Sequence, residues 1–251
     1  MHTRSVAWGN VSSTATLLLL VLLAAAPLWG PGLLNTRGGG DSPFNLLRVH
    51  QLAANLRAGV FPVRWMPDAA YGLGYPFFSY YAALPYYLAA GCTLLGIDIL
   101  SAIKLTQTLF FAAAALSTYG WARRALHSQA GAWLAAAAYT LAPYHLVNVY
   151  VRGDSLSEFA AFAFYPLILR GVDRLEERPS LRAAILPALA YAGLIVTHNL
   201  SAFVFSPFVL LYVAILVWRT REQHRWLTAA LAVVALGLGV LLTTWYWLPT
   251  L

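Results

Sequence analysis

The sequence predicts an all-α integral membrane protein of about seven spans, and three observations predict it. Hydrophobic residues make up 60% of the 251 residues and charged residues only 10%, where a soluble domain carries roughly a quarter; mean hydropathy is +0.66. Apolar runs recur at 13–30, 76–97, 101–121, 131–150, 158–169, 183–197, 200–218 and 226–248, and roughly 17–25 such residues cross a bilayer as a helix. Arginine-rich connections alternate with arginine-poor ones, which is how membrane helices are oriented. The net charge of +7 therefore reads as an orientation signal, and nucleic acid is excluded as a partner. One cysteine, Cys92, excludes an internal disulfide framework and a cysteine-rich metal site.

The first run follows Arg4 and ends in "AAAP". Proline directly after a cleavage site is unfavourable and seven more runs follow, so 13–30 is read as a retained span. Three glycines then precede Asp41. Asp41 or Ser42 caps a helix with Pro43 at its first position, and that helix runs to about Arg57, before Gly59. It is amphipathic, with Phe44, Leu47, Leu52 and Leu56 on a lipid face and Arg48, His50, Gln51 and Asn55 turned elsewhere. The run 76–97 holds five tyrosines and two prolines in "YPFFSYYAALPYYLAAG"; arginine counting favours a crossing, and composition favours a partly embedded helix. The later runs extend into spans at 101–121, 131–150, 156–172, 182–198, 200–218 and 226–248. Connections "WARRALH", "RGVDRLEERPSLR" and "WRTREQHR" go to the cytoplasm, which leaves "RGDSLSE" and "THN" outside. The chain stops as a span ends, so it is read as one transmembrane domain, 1–251, from the N-terminal part of a longer protein, with outer loops at 31–100 and 151–157.

The polar residues concentrate in three places. Asp41 sits at a positive helix end, which suits a helix cap, a base or a cation ligand. In "VRGDSLSEF" the stretch "SLSE" reads as a capping box, with Ser155 as cap and Glu158 reaching back. That leaves Asp154 and Arg152 without a structural account, and the two acids, four residues apart, repel unless a cation lies between them. In "VTHNLSAF" His198 and Asn199 make a two-residue turn with Asn199 as C-cap. Lys104, near the start of a span, snorkels to the interface or lies beside the site. No phosphate-cradling glycine loop, nucleophile elbow or His-x-x-x-His pair is present.

An acidic residue after the first span, an amphipathic helix with His50, and "GVFPVRWMPDAAYGLGYPFFSYYAALPYYL" resemble the first outer loop of the GT-C superfamily of polytopic glycosyltransferases. The run "AAAAYTLAPYHLVNVYVRGDSLSEFAAFAFYPL" is similar to their second outer loop. Within that superfamily the chain most resembles bacterial membrane proteins labelled "6-pyruvoyl-tetrahydropterin synthase related", although the soluble fold and three-histidine zinc site of a pterin enzyme are missing. The resemblance implies a GT-C-like helical bundle in the bacterial cytoplasmic (inner) membrane, N-terminus inside and site on the outer face. It implies transfer of a sugar from a polyprenyl-phosphate-linked donor, with membrane lipid as surroundings. Asp41 would then be the acceptor-activating base or a metal ligand. Asp154 and Glu158 would hold a divalent metal or the acceptor, with substrate bound by Arg152, His50 and His198 together with Arg64 and Lys104. The acids are spaced D-x-x-x-E and not D-x-D or D-N-E, which leaves the metal open. A transporter or flippase of lipid-linked substrates and a non-catalytic scaffold are the alternatives. Acids at span ends rather than at the midplane, and the lack of a repeat, count against transport.

Overall fold

A computed structural model describes residues 2–32, 41–152, 155–220 and 222–250. Within these residues the chain is an all-α membrane protein, with Met66 and Tyr75 forming an isolated bridge. The helices are α1 (His2–Ala25), α2 (Ser42–Arg57), α3 (Phe77–Tyr80), α4 (Leu84–Leu94), α5 (Ile99–Leu126), α6 (Gln129–Thr140), α7 (Pro143–Tyr150), α8 (Leu156–Ala161), α9 (Phe164–Glu177), α10 (Leu181–Thr197), α11 (Asn199–Arg219), α12 (Glu222–Leu242) and α13 (Thr244–Trp247).

Three helices are long and apolar enough to cross a bilayer alone: Ile99–Leu126, Asn199–Arg219 and His224–Leu242. Ser13–Trp29 and Leu181–Thr197 are shorter apolar helices. The expected spans 131–150 and 156–172 are each broken. Pro143 lacks an N–H to continue α6 and starts α7 instead, and the second breaks at Phe162–Ala163 between α8 and α9. The run 76–97 does not form one helix either. Its longer piece, α4, has 11 residues, a rise of about 16 Å against a hydrocarbon core of about 30 Å.

α5 is the axis. The Asp98 carboxylate caps it by accepting from the Ser101 N–H at 3.0 Å, and it ends at His127 in the left-handed region after Arg123 and Arg124. Alanines let its neighbours approach closely: Ala115, Ala122, Ala132 and Ala136 join Phe110, Phe111 and Phe159 in one core, which also takes Leu17 and Val21 of α1. A second core lies under the first loop, where Val49 and Leu52 of α2 meet Val63, Met66, Phe78, Tyr86 and Ile103. Leu52 is thus buried in protein rather than turned to lipid, and Gln51 is buried beside it. α9 and α10 form a third unit. Gly171 makes it possible, since a Cβ there would stand 2.7 Å from the Pro187 nitrogen.

Candidate functional site

α8 is only six residues long, yet it joins all three units. Leu156 is buried in the core of the first loop, Phe159 and Ala160 in the core around α5, and Ala161 in the core of α9, α10 and α11. Ser157 donates to the Ala82 carbonyl of the first loop at 3.4 Å. The remaining polar side chain of α8 is Glu158, at the mouth of the bundle.

The loop before α8 is closed by backbone bonds. Arg152 N–H donates to Val147 O at 2.8 Å and Ser155 N–H to Asn148 O at 2.9 Å. This folds Arg152 back over α7 and α8. Its guanidinium donates to Glu158 Oε2 at 2.6 Å and to Asn148 Oδ1 at 2.9 Å. The Tyr144 hydroxyl donates to the other oxygen of Glu158. The capping box expected of "SLSE" does not form: Ser155 occupies the cap position without a side-chain cap bond, and its hydroxyl reaches Glu158 Oε2 at 3.4 Å. A guanidinium and a phenol offer charge-assisted bonds that outcompete a backbone N–H. Burial raises the Glu158 pKa, but the bonds from Tyr144 and Arg152 and the nearby His198 outweigh it, so the carboxyl titrates below its ordinary range.

His198 separates α10 from α11 by a single residue and serves both as cap. The expected two-residue turn is therefore shorter, and Asn199 opens α11 instead of capping α10; its amide donates to the Tyr80 carbonyl at 3.1 Å. His198 Nδ1 pairs with the Ser201 hydroxyl at 2.6 Å, and its ring centroid is 6.1 Å from that of Tyr81. Burial lowers the His198 pKa and Arg152 adds to this, against the opposing pull of Glu158. Near neutral pH the imidazole is a neutral hydrogen-bonding group.

Asp41 occupies the N-cap position of α2, but its carboxylate does not cap the first turn. It acts electrostatically on Tyr81 and on Arg152. Tyr81 is also within reach of Arg48, Glu158 and Arg152, so the first loop, the α7–α8 loop and the α10–α11 turn converge on one end of the bundle. Asp154 lies outside the described residues. The other candidates are not among the groups that act on the Arg152–Glu158 pair, although Arg64 and Tyr81 both act on Tyr246. His50 is on the exposed side of α2. Arg64 donates to the carbonyls of Tyr246, at 3.4 Å, and of Trp245. Lys104, 8% exposed, donates to Gly30 O at 2.6 Å, at the exit of the first helix.

Tyr81, Tyr144 and Arg48 are site residues that sequence reasoning misses. Arg48 donates to Asn45 Oδ1 at 3.2 Å and Tyr86 OH at 3.0 Å, and stacks over Phe77 with its guanidinium carbon 4.3 Å from the ring centre. The i, i+3 spacing of Asn45 and Arg48 was a usable signal; Tyr144 could be found only by reading Pro143 as a helix start.

From this cluster a cavity of about 390 Å³ runs along α11, lined by Tyr144, Glu158, His198, Val204, Phe205 and Phe208 among others. It has a charged mouth and an apolar wall. Among the described residues no three metal-ligating side chains converge, and Asp154, which shares the expected metal role with Glu158, lies outside them.

Residues 78–251 match the sequence model of a family described as "6-pyruvoyl-tetrahydropterin synthase related domain; membrane protein". The match takes in Lys104, Arg152, Asp154, Glu158 and His198 and leaves out Asp41, His50 and Arg64. An uncharacterized protein of Lactococcus lactis subsp. cremoris (strain MG1363) is 25% identical over 205 residues, which cover 80% of this chain and 33% of that protein. The chain thus spans about a third of the length of that relative.

Proposed function

The chain belongs to the family of membrane proteins described as 6-pyruvoyl-tetrahydropterin synthase related, and from that premise we propose that it is part of a GT-C-type glycosyltransferase using a polyprenyl-phosphate-linked sugar at the outer face of the bacterial inner membrane. One observation carries this reading: Glu158, bonded to the Arg152 guanidinium, and the His198 imidazole meet at the mouth of an apolar groove, with Asp41 near enough to act on the neighbouring Tyr81. A lipid-linked donor has that same polarity, a charged head on a long apolar tail.

In this mechanism the groove along α11 takes the first part of the lipid tail and Arg152 and His198 face the phosphate. Arg152 is about half exposed, so one side of its guanidinium remains open to a ligand while Glu158 fixes the other. The Asp41 carboxylate removes the proton of the acceptor hydroxyl as that oxygen attacks the sugar's anomeric carbon. The anomeric carbon–oxygen bond breaks, and the departing lipid phosphate carries its electrons away beside Arg152. Glu158 holds Arg152 and Tyr144 in place. Asp154 is assigned to acceptor binding. Arg64 and Lys104 are committed to backbone carbonyls and take no step.

The test is transfer from a polyprenyl-phosphate sugar by the full-length protein in proteoliposomes. Asp41→Asn is expected to abolish transfer while donor binding survives. Normal transfer by that variant would remove Asp41 as base, and movement of the lipid-linked sugar across the bilayer without transfer would replace the enzyme by a flippase.

A further inference from the structure

A second polar cluster lies further along the bundle, where α9 packs against α5 beside Gly120. There Arg170 of α9 lays its guanidinium into the groove against α5. Gly120 makes the space: a Cβ at that position would stand 2.2 Å from Arg170 Nη1. The Nε atoms of Arg170 and Arg124 are buried and have no hydrogen-bond partner among the described residues. The charged groups acting on Arg170 are both cations, Arg174 and Arg124.

The neighbouring carboxylates are committed elsewhere. Asp173 accepts from Trp121 Nε1 at 3.0 Å and from the Tyr212 hydroxyl at 2.5 Å. Glu177 pairs with Arg124, and Glu176 lines a cavity with Arg124, Asp173, Glu177, Tyr212 and Arg219 that Arg170 and Arg174 do not line. Among the described residues Arg170 and Arg174 are adjacent positive charges without an ion-pair partner. An arginine that only orients the helix needs to reach water. One drawn into a helix–helix groove beside a second arginine loses solvation and gains repulsion, and an anion reverses both.

We propose that Arg170 and Arg174, with Arg124 beside them, form a phosphate-binding site, and that the phosphodiester of an anionic membrane lipid occupies it. The guanidiniums present N–H forks that match phosphate oxygens; Arg174 lies in the last turn of α9 and Arg170 one turn before it, within reach of a headgroup of the adjoining leaflet. This site is independent of the one at Glu158.

The full chain is incubated with vesicles of phosphatidylcholine and phosphatidylglycerol, extracted, and its retained lipid measured by native mass spectrometry. Wild type is expected to retain phosphatidylglycerol over phosphatidylcholine, and R170Q/R174Q to lose that preference by about tenfold. G120V, which keeps every charge but expels the Arg170 guanidinium, is expected to lose it too, and serves if the double variant fails to insert. Inorganic phosphate is the competing probe. Failure to displace the lipid supports a lipid ligand, whereas displacement at low concentration assigns the same site to free phosphate and overturns the lipid. Equal retention of phosphatidylglycerol by wild type and G120V overturns the site altogether.

Discussion

Glu158 shows how one side chain sets the chemistry around it. Two donors, Tyr144 and Arg152, hold its two oxygens, and it is 17% exposed. Glutamine keeps one acceptor oxygen but no charge, so one of the two donors loses its acceptor and Arg152 its counter-charge. With Tyr144 and Arg152 both about half exposed, Glu158→Gln is expected to lower stability by about 1 kcal/mol at neutral pH, read as a fall in thermal midpoint. The pH dependence follows from the direction of the shift. The folded carboxyl titrates below its ordinary 4.5, so its stabilisation is complete above that value and is lost as pH falls through the folded pKa. Wild type and Glu158→Gln should therefore converge in midpoint on acidification. A gap that stays constant through the acid range would show that Glu158 acts by packing alone. Asn148 and Arg152 stand at i, i+4 spacing, a signal the sequence offers. The letters do not tell that Arg152 would draw Glu158 away from the expected capping box while Ser155 keeps the cap position, because charge-assisted bonds depend on where the loop folds.

At the scale of elements, close approach decides which glycines matter. Gly171 faces the backbone nitrogen of Pro187 at 2.7 Å from a built Cβ, while nothing lies within 4 Å at Gly237. Gly171→Ala must push α9 and α10 apart and is expected to cost about 1–3 kcal/mol, whereas Gly237→Ala, within α12, is expected to be neutral or stabilising by up to about 1 kcal/mol. Equal thermal midpoints for the two variants would refute the α9–α10 contact. α8 makes a different demand. Leu156→Ala removes a fully buried side chain from the core under the first loop, for about 3 kcal/mol. It should also free the first loop, read as faster proteolysis between α3 and α4. Such elements are the least legible part of the chain. The runs 131–150 and 158–169 read as apolar stretches, and each break has a proline just after it. Pro143 starts α7, and Pro166, with no N–H for the Phe162 carbonyl four residues back, lies in the first turn of α9; where each proline breaks rather than kinks its helix is set by packing.

For the whole molecule, hydropathy was enough to recognise an all-α membrane protein, since composition alone forbids a water-soluble surface. Arginine counting left the first loop unplaced because a partly embedded helix and a crossing one share the same letters. The structure brings Asp41, Tyr81, Arg152 and His198 to one end of the bundle, and with α4 too short to cross by itself, α2 and α8 must share a membrane face if the proposed site exists. Thiol labelling decides it in a Cys92→Ser background. Ser42 and Ser155 are natural choices by sequence, but at 1% and 7% exposure they are poor ones; Phe44 and Val151, exposed on the same two loops, serve instead, with Leu181 for the arginine-rich side. An impermeant reagent applied to intact cells is expected to label cysteines at 44 and 151, and to reach 181 only after permeabilisation. Labelling at 151 without labelling at 44 would put Asp41 and Arg152 on opposite sides of the bilayer, and no lipid headgroup could then bridge them.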